Sequence, residues 1–401
     1  MLKKRYKIDG LFMLTYEVYL IFALLSTTFY YKYYAGVLYR GIKLICFILL
    51  FVHESRKLRI RLNVFFGLLI CGMIYLNFSY NAGIFSDIGL MVILLYCGRD
   101  IPFKKIAEVT IKISIVVIFF VIISSYLGII ENYVQVAGVR RREYLGFTYS
   151  LYPAAIMFNI TALTLYVRNR FVNLIEIFLL FLGNFWIFQK TTSRLSFYMA
   201  VFMILCSLLY KYFPRILTDL KIVHVGMVVS YIGSAIFSFW ITETYNPSVE
   251  WMNQLNDILG ARLLYGKRSL DIYGVSLLGN KNIKWVGNGL NELGEKPKEE
   301  YLWVDNFYIS IAQRYGMLVL ILIILLITIA LIIALRKKNY YLMFFLSMIA
   351  GHCVIDDLFI YIYYNTFWFA LPMLFLKKDE KDENYKMCPK NLKRKKLKIY
   401  L

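Results

Sequence analysis

Four arginines combine the residue type and the spacing that phosphate chemistry needs: Arg140, Arg141 and Arg142 in VRRREYLGF, and Arg194 closing TTSR. A guanidinium is planar, keeps its charge and donates two parallel hydrogen bonds, which matches a phosphate edge. Arg194 directly precedes the apolar run LSFYMAVFMILCSLLY, so it opens a helix that Thr192 or Ser193 can cap. The free N–H groups and positive dipole end of that helix favour the same anion. Acids are fewer. Asp305 and Asn306 open the segment DNFYISIAQRYG, and Asp356 and Asp357 follow His352 by about one turn. A buried histidine beside carboxylates can move a proton, although packing is the plainer role for it. Arg314, about two turns into the helix that Asp305 begins, is costly unless it faces a polar cavity. No metal site is expected, because Asp356 and Asp357 point apart on a helix and lack further ligands. The six cysteines show no metal-ligand spacing, and no cofactor is expected.

These residues need a membrane scaffold to position them. Of 401 residues, 60% are hydrophobic and 18% aromatic, too much apolar surface for a water-soluble chain of this length to hide. Apolar runs near twenty residues recur throughout, at 11–31, 35–53, 62–80, 83–98, 106–129, 149–167, 171–189, 194–213, 221–241, 306–335, 340–357 and 359–376. They predict an all-α, polytopic integral membrane protein of about twelve transmembrane helices with one large extracellular loop. The membrane domain covers 1–376 and a basic cytoplasmic tail covers 377–401. The loop, 242–305, carries an amphipathic helix in PSVEWMNQLNDILGARLL, whose apolar positions Val249, Trp251, Met252, Leu255, Ile258, Leu259 and Leu263 fall near helical spacing.

Charge orients the spans. With Lys3, Lys4, Arg5 and Lys7 in the cytoplasm, the loops ESRKLRIR, GRDIPFKK, VRNR, KYFPR and LRKKN and the tail all fall inside, as the positive-inside pattern requires. Both termini are then cytoplasmic. The formal charge of +21 reads as charge at a membrane lipid surface; no nucleic-acid module fits, so nucleic acid is excluded as a partner. Arg140, Arg141, Arg142 and Arg194 land on the outer side, where the rule disfavours them. Two accounts remain open for them: a site for a lipid-linked phosphate or pyrophosphate, or contact with anionic headgroups.

Arg142 with Leu145-Gly146-Phe147 resembles the R-x-x-L-G-F element of Wzy-type O-antigen and capsular polysaccharide polymerases. TTSR is similar to their T-x-S-R element at a helix start. VGNGL at 286–290 and DNFYISIAQRYG resemble elements of the wider O-antigen ligase and polymerase superfamily. Two departures stand beside this. Thr148-Tyr149-Ser150 follows where the family often has Pro-Asn, and Asp305 stands where ligases usually place His. The resemblance implies a metal-independent, inverting glycosyltransferase in the bacterial cytoplasmic membrane. It would move a growing glycan from undecaprenyl pyrophosphate to a new undecaprenyl-pyrophosphate-linked oligosaccharide on the outer face. Arg142 and Arg194 would hold the pyrophosphate, with Arg141 and Arg140 assisting. Asp305, or His352, would orient or deprotonate the acceptor hydroxyl, and Ser193, Asn306, Arg314 and Gly146 would support the site. A chain-length regulator and a flippase are the protein partners it points to. Three other readings stay open: a ligase-like glycan transferase, a lipid-linked oligosaccharide flippase, and an assembly scaffold without catalysis.

Overall fold

Residues 2–57, 62–137 and 140–375 are described in the structure, a computed structural model. The expected tail at 377–401 lies outside them. Helices α1 (Leu2–Leu25), α2 (Val37–Ser55), α3 (Leu62–Ala82), α4 (Asp87–Cys97) and α5 (Phe103–Tyr126) precede a hairpin, β1 (Val134–Ala137) and β2 (Arg140–Glu143). Then come α6 (Tyr152–Arg168), α7 (Leu174–Thr191), α8 (Arg194–Tyr212), the short α9 (Pro214–Thr218) and α10 (Lys221–Glu243). Helices α11 (Glu250–Ile258) and α12 (Arg262–Tyr273) stand in the long connection before α13 (Phe307–Arg314), α14 (Met317–Arg336) and α15 (Tyr340–His352). Local signals account for the boundaries. Asn173 and Glu176 form a reciprocal capping box at the start of α7, and Pro153 occupies the first turn of α6, where its missing N–H costs nothing.

The chain is mostly helical, and among the described residues six helices are long and apolar enough to cross a membrane: Val64–Ala82, Phe103–Tyr126, Leu174–Thr191, Arg194–Tyr212, Lys221–Glu243 and Met317–Arg336. They coincide with six of the twelve expected spans. Gly10–Leu25 and Tyr340–His352 are shorter apolar helices. Apolar side chains such as Phe119, Phe178, Ile222 and Leu325 are exposed on these helices, a surface that suits lipid rather than water. One continuous core runs through the bundle, while Ile241, Tyr245, Met252 and Leu263 form a small separate cluster beneath α11 and α12.

Four expectations change. The fold is all-α except for the hairpin, an antiparallel pair in which Gln135 faces Arg142 and Val136 faces Arg141. The amphipathic segment is two helices, because Gly260 and Ala261 adopt φ of +67° and +66° and turn the chain. The expected helix 306–335 divides at Tyr315-Gly316. There Met317 and Leu318 donate to the carbonyls of Ser276 and Leu277, and the Gln313 carbonyl accepts from Asn280, so a loop takes over the helix's own bonds. Gly316 has φ +96°, and a Cβ on it would collide with the Leu277 carbonyl. The expected last span, 359–376, is irregular: two 3-10 segments, Leu358–Ile360 and Thr366–Phe375, replace it. Side chains compete for its backbone there. Asn159 donates to Tyr363 O at 3.3 Å, and Trp368 Nε1 donates to Phe359 O at 2.7 Å.

Candidate functional site at one end of the bundle

The end of the bundle formed by the C-termini of α1, α5, α7, α10 and α15 holds a cavity of about 390 Å³. The hairpin delivers its first cation. Successive side chains of a strand point to opposite faces, so Arg142 enters the cavity wall while Arg141 turns outward and is 70% exposed. Arg142 Nε donates to Thr192 Oγ1 at 3.0 Å, and among the described residues no carboxylate pairs with it. Glu143 is engaged elsewhere, by Lys190 at 3.2 Å and the Tyr126 hydroxyl at 3.2 Å, with Arg141 at 3.9 Å. The side chain of Arg140 lies outside the described residues.

Leu145-Gly146-Phe147 anchors the hairpin rather than touching the cavity. Leu145 and Gly146 have φ of 54° and 85°, and a Cβ on Gly146 would lie 2.8 Å from Ile130 and 2.9 Å from Val121, so a larger residue does not fit. Gly146 O accepts from Phe29 N–H at 3.0 Å, tying the turn to the end of α1. The Thr148 carbonyl accepts from Leu290 N–H at 2.8 Å. That bond brings the VGNGL element alongside and sets Asn288 on the cavity.

TTSR turns α7 into α8 through Thr192, whose φ of 52° is left-handed. Ser193 does not cap α8 as expected. Its hydroxyl accepts from Thr191 Oγ1 at 2.8 Å and donates to Ser150 O at 3.3 Å, while Thr192 is held by Arg142. The first turn of α8 therefore has no side-chain cap, and Arg194, Leu195 and Ser196 line the cavity. Arg194 is exposed and, among the described residues, makes no ion pair or hydrogen bond through its side chain.

Asp305 and His352 reach the same cavity. Burial pushes the Asp305 carboxyl above the ordinary carboxylate range, against the opposing pull of Arg262, whose Nη2 lies 3.5 Å from Asp305 Oδ2. Asn306 caps α13, its Oδ1 accepting from Ile309 N–H at 3.2 Å. Its Nδ2 donates to Ser238 Oγ at 3.0 Å and Val354 O at 2.8 Å. His352 is fully buried at the cavity floor against the rings of Phe158 and Phe359, 4.4 Å and 4.3 Å between centroids. Among the described residues neither ring nitrogen has a hydrogen-bond partner, and Nε2 stands 3.8 Å from Asp356 Oδ2. In the turn after α15, burial and then the charge of Asp357 push the Asp356 carboxyl up to about 8. Arg314 is not inside a long helix. It ends α13 and stacks on Trp285 and Trp303, 4.1 Å and 4.8 Å from the ring centroids, so its charge holds the loop and does not line the cavity.

Sequence reasoning missed Arg262. Its Nε donates to Ile355 O at 2.7 Å and its Nη1 to Leu259 O at 2.8 Å, aiming it inward from the start of α12. The one local signal is Gly260-Ala261 interrupting an amphipathic run just before it. Tyr149, Tyr265 and Tyr301 complete an aromatic wall, with the Tyr265 and Tyr301 rings edge to face at 4.6 Å. Among the described residues no group of three His, Cys, Asp or Glu side chains is placed to hold a metal ion. Comparison with protein-family models, with curated proteins and with solved structures finds no match for this chain.

Proposed function

We propose that the cavity transfers a glycan from a polyprenyl diphosphate carrier to a second lipid-linked oligosaccharide, as the resemblance to Wzy-type polymerases implies. One observation carries this reading: two guanidiniums without carboxylate partners, Arg142 and Arg194, share a cavity with the buried acid Asp305. The volume of about 390 Å³ falls within the range of about 300–1,000 Å³ usual for small-molecule sites. In the reaction the acceptor hydroxyl oxygen bonds to C1 of the growing chain's terminal sugar. The C1–O bond to the diphosphate breaks, and its electron pair stays on the diphosphate. The hydroxyl proton passes to the Asp305 carboxylate. Arg142 and Arg194 stabilise the departing charge, as donors aimed at developing charge do in other enzymes, and the tyrosine wall offers flat apolar rings to sugar C–H faces. His352, buried behind Asp356, is the second proton-handling group.

The same proposal places the site on the outer face of a bacterial cytoplasmic membrane, with both termini inside. α1, α2, α4, α6, α15 and the 3-10 segment Thr366–Phe375 would complete about twelve passes with the six long helices. Purified protein in liposomes, given a lipid-linked repeat unit, is expected to make lipid-linked dimers and longer chains. In cells lacking the chain, single repeat units are expected to accumulate on the outer face. Accumulation on the inner face would instead make the protein a transporter.

A further inference from the structure

The Arg262–Asp305 pair poses a problem for the proposed reaction. Arg262 works against the basicity that burial gives Asp305, yet Asp305 is the acid best placed to take the acceptor's proton. Both side chains are nearly buried, 16% and 15% exposed, and both line the cavity with Arg142 and Arg194. The helix carrying Arg262 is fixed at its far end, where Ser269 bonds Gln313 at 2.9 Å, while Arg262 itself stands at its start, just after a turn. α11 and α12 rest on the small cluster of Ile241, Tyr245, Met252 and Leu263, apart from the continuous core. They meet at an elbow where Ala261, a residue with a Cβ, holds a left-handed φ of +66°.

We infer that Arg262 exchanges partners: it holds Asp305 before the donor binds, and moves onto the diphosphate once the donor rests on Arg142 and Arg194. This rests on the diphosphate reading of the cavity and deepens it by assigning an order. The two unpaired arginines take the anion first, since no ion pair must break for them to do so. The negative charge then competes with Asp305 for Arg262, and its release leaves Asp305 to accept the hydroxyl proton. The base is thus available only when a donor is present, and Arg262 acts as the third diphosphate contact. Its fork, already shared between a carboxylate and two backbone carbonyls, can re-pair bidentately with a phosphate edge.

Inorganic pyrophosphate titrated into the full-length protein in detergent micelles separates the possibilities. Arg262→Gln is expected to weaken binding about tenfold, the loss of a charge-assisted contact. Asp305→Asn is expected to tighten it about threefold or more by freeing Arg262. Asp257→Asn removes an acid that also lines the cavity but is exposed and, among the described residues, has no ion-pair partner. It is expected to leave affinity within about twofold. Arg262→Lys, which keeps the charge without the fork, should fall between the unaltered protein and Arg262→Gln. It replaces Arg262→Gln in the comparison if that variant is not monodisperse. A purely structural pair makes substitutions at Arg262 and Asp305 act in the same direction or not at all, which overturns the exchange. Equal tightening from Asp257→Asn and Asp305→Asn overturns it as well, leaving only the field of the cavity. Failure of the unaltered protein to bind pyrophosphate overturns the diphosphate reading itself, and the exchange with it.

Discussion

At the end of the bundle opposite the cavity, three cations have acid partners. Arg99 Nη1 donates to Glu54 Oε2 at 3.0 Å, Lys57 Nζ lies 2.8 Å from Asp100, and Arg168 Nε lies 2.8 Å from Glu176. At the cavity end, among the described residues, Arg142 and Arg194 have no such acids, and the acid nearest to Arg142 in sequence, Glu143, is taken by Lys190. The same residue type serves two purposes. A matched guanidinium pins helix ends and needs nothing further. An unmatched pair in a concave, partly dry site leaves electrostatic work undone: two unit charges 4 Å apart interact by about 4 kcal/mol at an effective dielectric constant of 20. Under the proposed function an anion would supply what the fold withholds. The comparison teaches that an arginine's role here is read from the missing carboxylate rather than from the arginine.

The largest effect tests the acid proposed as the base on the unmatched side. Asp305→Asn keeps the shape of the side chain and removes the base. Polymer formed per folded protein is expected to fall about a hundredfold or more, in the range of general-base contributions, while lipid-linked repeat unit still binds. Near-normal polymer would return Asp305 to a structural partner of Arg262, and the two ends of the bundle would then be alike. His352 would become the leading proton-handling group.

The next effect concerns the fork. Arg194→Ala is expected to lower polymer formation about a hundredfold, as loss of one donor to a developing charge does. Arg194→Lys should be nearly as damaging, since it keeps charge without the planar geometry. Full activity from the lysine variant would mean that headgroup attraction accounts for this arginine, and the contrast between the ends would lose its chemical meaning.

Much of this side of the comparison is legible in the sequence. Arg142, Arg194, Asp305 and His352 come from separate segments yet share one cavity. Arg142 sits on the hairpin and the others at helix ends or turns, and the alternation of apolar runs with basic loops predicts one side for all of them. What is not legible is made by long-range contacts. Arg262 lies inside a run whose periodicity reads as one helix, and only the left-handed backbone at Gly260 and Ala261 turns it inward. The break at Tyr315-Gly316 interrupts an apolar pattern without a proline, because Ser276 and Leu277 accept the bonds that a continuous helix would make internally. The irregular last segment likewise owes its form to Asn159 and Trp368, which hydrogen-bond to its backbone. Ser193 has the residue type of a cap, but its hydroxyl is committed to Thr191 and Ser150.

A smaller effect sharpens the comparison from the matched end. Arg99 is nearly buried and also lies over the Tyr96 ring at 4.2 Å from its centroid. Arg99→Ala leaves the Glu54 carboxylate without this partner. Breaking a buried pair costs about 3–5 kcal/mol, and because Glu54 is 28% exposed, a loss of about 2 kcal/mol is expected after solvent screening. Thermal unfolding in detergent measures it. Polymer formed per folded molecule should stay within about twofold, the reverse of the Arg194 pattern.

The smallest effect is expected one residue from one of the largest. Arg141 and Arg142 are adjacent and carry the same side chain, so composition alone gives no ground for separating them. The strand does separate them: its period of two sends Arg142 to Thr192 and the cavity wall, and leaves Arg141 70% exposed with Glu143 at 3.9 Å as its acid. An exposed pair of that kind contributes roughly 0–1 kcal/mol. Arg141→Ala should therefore change polymer formation by less than about twofold, while Arg142→Ala should approach the loss seen for Arg194→Ala. Equal losses at both positions would mean that the hairpin acts as a patch of charge, with register irrelevant. Equal and small losses would remove the hairpin from the site and leave Arg194 and Arg262 to hold the diphosphate.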